Sequence, residues 1–92
     1  MFVTQHEPTK PNVHPELTTR EVDEGLLVAD ERSGQVHVLN RTAGRVLGLC
    51  DGQHDLDEIA RILAVEGNVD ESRTADDVRT ILVQFGRLGL LS

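Results

Sequence analysis

The chain contains no tryptophan and no tyrosine, and Phe2 and Phe85 are its only aromatic residues. A core must therefore be built from Leu, Val, Ile and Ala. At 92 residues such a core leaves roughly 3–5 kcal/mol of net stability for a single domain. That is thin support for a shaped, water-excluding catalytic cavity. Cysteine is nearly missing as well: Cys50 stands alone, which excludes an internal disulfide and fits a reducing compartment. Lys10 is the only lysine, and the formal net charge is −7. Nine acids and two bases lie between Asp51 and Asp77. Affinity for nucleic acid rests on Lys and Arg neutralising phosphates, so nucleic acid is a poor partner. No apolar run approaches the ~18 residues of a membrane span, and no basic segment followed by an apolar stretch opens the chain. A cytoplasmic protein without a membrane contact is expected.

What is present reads as strands followed by helices. Residues 1–14, with Pro8 and Pro11 and no periodicity, read as a flexible arm, and residues 15–92 as one domain. Leu17 to Asp23 is a polar first strand. Leu26 to Ala29 is a second, entered through Gly25, and Gln35 to Leu39 a third, after turn chemistry at Glu31-Arg32-Ser33-Gly34. In the third strand Val36 and Val38 share one face and His37 takes the other. Asn40 is suited to cap a first helix with Ala43, Val46, Leu47 and Cys50 on its apolar stripe, ended by Asp51-Gly52. Asp55 and Glu58 form an acidic capping box for a second, with Leu56, Ile59, Ala60 and Leu63 inward and Gly67 as its stop. A third is expected to start at Thr74, after an acidic loop from Val69 to Arg73, and to bury Val78, Ile81, Leu82, Phe85 and Leu88. Leu90-Leu91 is expected to dock back on the body. The class is α+β: a three-stranded antiparallel sheet followed by a three-helix body like a winged helix-turn-helix.

Candidate chemistry is sparse, and no catalytic residue, metal site or cofactor is expected. Cys50 and His54 lie four apart, but the turn at Gly52 breaks any shared helical face, and a structural zinc site wants four ligands. Cys50 reads instead as a buried thiol completing a helical stripe. His6 and His14 fall in the arm. Asp57 and Glu58 read as partners of a helix dipole and a solvated face. Gly44 and Gly48 point to close packing of the first helix, either inside the domain or at a subunit interface.

The third strand is more informative. In a meander it is an edge, with one row of free N–H and C=O groups. Natural edges are usually blunted by Lys, Pro or a bulge, and Gln35-Val36-His37-Val38-Leu39 has no Pro, Lys or acid. Such an edge is either short and harmless or a site for strand addition. About five backbone hydrogen bonds at ~1 kcal/mol net each, with two or three buried side chains at ~1.5–3 kcal/mol each, would offset the cost of association. On the third helix, Asp76, Arg79, Thr80, Val83, Gln84 and Arg87 lie away from the core stripe. Val83 either grips a ligand beside Arg79 and Arg87 or packs on Leu91.

The ordered series Val38-Leu39-Asn40-Arg41-Thr42-Ala43, Leu49-Cys50-Asp51-Gly52, Leu56-Asp57-Glu58-Ile59 and Leu88-Gly89-Leu90-Leu91 resembles the PqqD-like family over residues 15–92. The resemblance implies a recognition element for ribosomally made, modified peptides. Such a domain is non-catalytic: it holds the leader of a precursor peptide as an added strand and presents it to a modifying enzyme, often a radical-SAM protein. The implied cleft is Gln35, Val36, His37, Val38 and Leu39 with Asp76, Arg79, Thr80, Val83, Gln84 and Arg87. A monomer or weak dimer is expected, since an open edge can pair with itself. The element order also fits a winged-helix DNA-binding regulator, against which the acidic surroundings of the third helix argue.

Overall fold

The computed structural model describes residues 10–92, so Phe2, His6 and the first part of the expected arm lie outside it. Three strands, β1 (Leu17–Val22), β2 (Gly25–Asp30) and β3 (Val36–Asn40), precede three helices, α1 (Arg41–Leu49), α2 (Leu56–Gly67) and α3 (Glu71–Leu88). The strands form one antiparallel meander in the order β1-β2-β3. This is the α+β architecture that the strand and helix periodicities predict.

Local chemistry explains most of the boundaries. Asn40 accepts from the Ala43 N–H (2.8 Å) and starts α1 directly from β3. The capping box of α2 is complete: Asp55 accepts from the Glu58 N–H (2.9 Å), and Glu58 accepts from the Asp55 N–H (2.8 Å). Gly67 is the last residue of α2 rather than its terminator; Asn68 takes the left-handed conformation, φ 53°. Asn reaches that region at little cost because its short polar side chain bonds locally. The start of α3 departs further from expectation. Asp70 accepts from the Ser72 N–H (3.3 Å) and caps a helix that begins at Glu71, so the acidic stretch expected to be loop is the first turn. Carboxylates near a helix N-terminus also interact favourably with its dipole. At the other end Gly89 (φ 75°) reverses the chain, and the Leu90 N–H returns to the Phe85 carbonyl at 2.9 Å.

Val28, Val46, Ile59, Val78, Phe85 and Leu90 are fully buried and form the centre of the core. α1 lies under β2 and β3, while α2 and α3 pack on each other. Gly25 permits the tightest approach: a Cβ there would stand 2.0 Å from the Leu39 carbonyl oxygen. The two glycines of α1 behave differently. A Cβ on Gly44 would meet Leu26 Cβ at 3.0 Å, which is packing inside the domain, whereas one on Gly48 would meet nothing within 4 Å. Gly48 instead lines an open groove of about 1170 Å³ between α1 and β1.

The last part of the expected arm is tied to the body. The Val13 N–H donates to the Cys50 carbonyl (2.9 Å), the His14 N–H to the Leu90 carbonyl (2.9 Å), and the Gly52 N–H to the Pro11 carbonyl (3.0 Å). Ser92 closes the set by donating its N–H to the Asn12 carbonyl at 2.9 Å. The packed unit therefore takes in residues 11–14, ahead of the boundary expected at Pro15. Two of these bonds, His14 to Leu90 and Ser92 to Asn12, join segments nearly a chain length apart, which no local pattern announces.

The glycines supply a paired test by urea denaturation. Gly48→Ala removes the backbone-entropy cost of glycine at an open helical site and is expected to stabilise by about 0.5–1 kcal/mol. Gly25→Ala drives a methyl into backbone and is expected to destabilise by more than about 1 kcal/mol. Equal effects of the two substitutions would contradict these surroundings.

Candidate functional site

The two edges of the sheet differ in chemistry. β1 presents Thr18, Thr19, Arg20 and Glu21, a polar and charged edge, whereas β3 reads Val36-His37-Val38-Leu39-Asn40. Hydrogen bonding at the hairpin decides which backbone groups of β3 are free. The Asp30 N–H donates to the Gln35 carbonyl and the Gly34 N–H to the Asp30 carbonyl, both at 2.8 Å, with Gly34 at φ 76°. Bonded and non-bonded pairs alternate along an antiparallel ladder. Counting on from Asp30–Gln35 through the register, Val28–His37 and Leu26–Leu39 are bonded pairs, and Ala29–Val36 and Leu27–Val38 are not. The N–H and C=O groups of Val36 and Val38 therefore point away from β2, out from the open edge.

The side chains divide in the same alternation. Val36 and Val38 are 57% and 63% exposed on the outer sheet face, beside Ala29 and Leu27. His37 and Leu39 share the inner face with Val28 and Leu26; Leu39 is buried and His37 half-buried. His37 Nε2 is the one buried side-chain nitrogen or oxygen among the described residues that has no hydrogen-bond partner. Leaving such an atom unpaired costs about 1–3 kcal/mol, which sets His37 apart from an ordinary surface histidine.

The position of α3 relative to this edge is held by a buried carboxylate. Asp30, only 6% exposed at the end of β2, accepts from Arg32 Nε (3.0 Å), Arg32 Nη2 (2.9 Å) and the Arg32 N–H (2.9 Å). Arg32 Nη2 also donates to the Gly89 carbonyl at 2.7 Å, where α3 ends. The turn into β3 and the last turn of α3 are thus bound through one guanidinium. Its hydrogen bonds to Asp30 hold that carboxyl down at about 2.

Of the α3 residues expected to face a ligand, Asp76, Arg79, Thr80, Val83, Gln84 and Arg87 are all exposed. They follow one another at i, i+3, i+4, i+7, i+8 and i+11, one exposed stripe of the helix. Arg79 pairs with Asp76 at 3.0 Å, and Thr80 Oγ1 donates to the Asp76 carbonyl at 3.2 Å. Arg79 also borders a hollow with Pro11, Asp55, Leu56, Asp57, Leu82 and Leu91, a lining with no residue from β3. Val83 is 48% exposed, off the core. Leu88, expected in the core stripe, is 45% exposed, because the chain turns back at Gly89 and leaves the end of that stripe uncovered. Leu88 follows Ile81 and Gln84 on one helical row, i, i+3, i+7, and adjoins the residue that Arg32 holds. It is the site candidate that the periodicity concealed, since its spacing matches the core positions.

The other candidates are accounted for locally. Cys50 is buried, its thiol donates to the Val46 carbonyl (3.2 Å), and burial together with the Asp51 charge pushes its pKa up to about 11. His54 Nδ1 pairs with Asp51 at the surface, 2.9 Å away. No helix among the described residues is long and apolar enough to cross a membrane.

A family model described as coenzyme PQQ synthesis protein D (PqqD) matches residues 25–91. The chain belongs to the PqqD family. Two solved structures share the fold of this PqqD-family chain. Lasso peptide synthetase B1, complexed with the leader peptide, is 23% identical over 90% of this chain and 98% of its own, with a TM-score of 0.78. TbiB1, in complex with the TbiA(beta) leader peptide, is 18% identical over 88% of this chain and 94% of its own, also at 0.78. No curated protein matches the chain.

The Asp30–Arg32 pair makes the PqqD-family fold sensitive to acid in a defined window. The folded carboxyl titrates near 2, below the unfolded value of about 3.9. The pair therefore contributes its full stability above about pH 4 and loses it as pH falls towards 2. Asp30→Asn is expected to lower the urea midpoint at pH 7, with a difference from wild type that shrinks between about pH 4 and pH 2. A difference that stays constant across that range would place the acid sensitivity elsewhere.

Proposed function

We propose that this domain is a non-catalytic peptide adaptor that takes the leader of a ribosomally made precursor peptide as a fourth strand on β3 and presents it to a modifying enzyme. The observation that carries this reading is the outward row of backbone groups at Val36 and Val38. It lies on an edge with no Pro, Lys or acid to block pairing. Membership of the PqqD family supports it, and so do two structures of the same fold that contain leader peptides.

The proposed cleft consists of Gln35, Val36, His37, Val38 and Leu39 on one side. On the other stand the exposed α3 residues Asp76, Arg79, Thr80, Val83, Gln84 and Arg87, and with them the row Ile81, Gln84 and Leu88 beside the Gly89 that Arg32 holds. Val83 and Arg87 flank the row. About four backbone bonds at Val36 and Val38, at ~1 kcal/mol net each, need only two or three buried side chains beside them to give micromolar affinity after the cost of association. Such affinity suits a carrier that must also release its peptide. The modifying enzyme is the second partner, and a radical-SAM protein is the class that the family resemblance favours.

Val38→Pro removes an outward N–H and places a ring in the path of the incoming strand while leaving the β2 ladder intact. Binding of the precursor peptide, measured by calorimetry, is expected to weaken at least about tenfold, with the far-ultraviolet circular dichroism unchanged. Leu88→Glu should weaken it through the α3 side. Wild-type affinity in Val38→Pro would remove β3 from the site.

A further inference from the structure

We propose that His37 selects the bound peptide through one side-chain hydrogen bond, requiring a hydroxyl or carboxamide on the peptide residue opposite it, between two apolar residues that lie beside Val36 and Val38. This rests on strand addition at β3 and names the class of peptide that the edge accepts.

The register carries the argument. An antiparallel strand that continues the meander exchanges its backbone bonds with Val36 and Val38, whose groups point outward. The peptide residue between those two then forms a non-bonded pair with His37. In such pairs the Cα atoms are about 4.5 Å apart and the side chains are closest. That peptide side chain falls on the inner face, where His37 Nε2 is buried without a partner. No neighbouring position on this face supplies one: Gln35, the next residue of this face along the strand, is exposed and makes no bond to it. Val28 across the ladder and Leu39 along the strand are apolar, and the Asp30 carboxylate is engaged by Arg32. An added strand would place one more side chain beside His37 on this face.

The chemistry of the missing partner follows. Nε2 donates or accepts according to the tautomer, and a hydroxyl or carboxamide can do either. Ser, Thr, Asn and Gln therefore satisfy it in both states. A carboxylate would add negative charge to a chain already at −7. The flanking peptide residues point to the outer face beside Val36 and Val38, which are more than half exposed, and beside Leu27 and Ala29. Apolar, β-branched side chains extend such a face best. The preferred segment is apolar–(Ser, Thr, Asn or Gln)–apolar in an extended strand.

A displayed library of random linear peptides, selected in parallel on wild type, His37→Leu and His37→Gln, tests this, with circular dichroism confirming that each variant is folded. Wild type and His37→Gln are expected to enrich a hydroxyl or carboxamide at the centre of an apolar triplet, and His37→Leu an apolar centre. For a peptide enriched on wild type, changing a central Thr to Val should cost about tenfold in affinity on wild type and little on His37→Leu. The ¹⁵N resonance of His37 Nε2 should move when that peptide is added to wild type. The same central preference on all three proteins, or an unmoved Nε2 resonance with bound peptide, overturns the selection by His37 and leaves strand addition standing. Enriched peptides that leave the Val36 and Val38 amide resonances undisturbed overturn strand addition itself, and this inference with it.

Discussion

The whole edge depends on one buried carboxylate. Asp30 ends β2 with its charge out of water, and a charge so placed requires a partner. Arg32, two residues on, supplies that partner and reaches Gly89 with the same guanidinium. Because the pair is planar and forked, it fixes direction as well as distance. The turn after β2 cannot swing without uncovering Asp30, and the end of α3 cannot drift without losing Arg32. A short hairpin on a small aliphatic core thus gains a defined spacing from the helix beside it. A binding cleft needs that spacing more than it needs additional hydrophobic area.

Much of this was legible in the sequence. The strands, the stripes of α1 and α2, the Asn40 cap, the Asp55–Glu58 box and the unblocked third strand all follow from local pattern. Local pattern misled where two rules competed. Val69 to Arg73 reads as acidic loop because Asp and Ser are poor helix formers in mid-helix, yet Asp70 as N-cap starts the helix and Glu71 sits well in its first turn. Leu88 has core spacing, and only the reversal at Gly89 leaves it uncovered. The alternation of Val36, His37 and Val38 was visible, but which face pointed inward depended on the register with β2. The contacts of Arg32 with Gly89, and of Asn12 with Ser92, join residues far apart in the chain and leave no periodic trace.

The division of labour on β3 follows from the period of two in a strand. Backbone groups of Val36 and Val38 point outward in the plane of the sheet, where any extended segment would meet the same row of donors and acceptors. The His37 side chain stands perpendicular to that plane, on the inner face. The acidic balance of the chain fits this arrangement. A backbone ladder carries no net charge, so pairing at this edge would leave the surface free to be negative, as a net charge of −7 makes it, and unsuited to nucleic acid.

The bonds among residues 11–14, 50–52 and 90–92 have a topological consequence. Asn12 and Ser92 are hydrogen-bonded to each other, so the two ends of the folded unit meet at a single seam. A module whose ends coincide can be spliced into a surface loop of another polypeptide, or reconnected end to end and reopened elsewhere, with only a short linker. β3 is left undisturbed by either operation, because it contributes nothing to the seam.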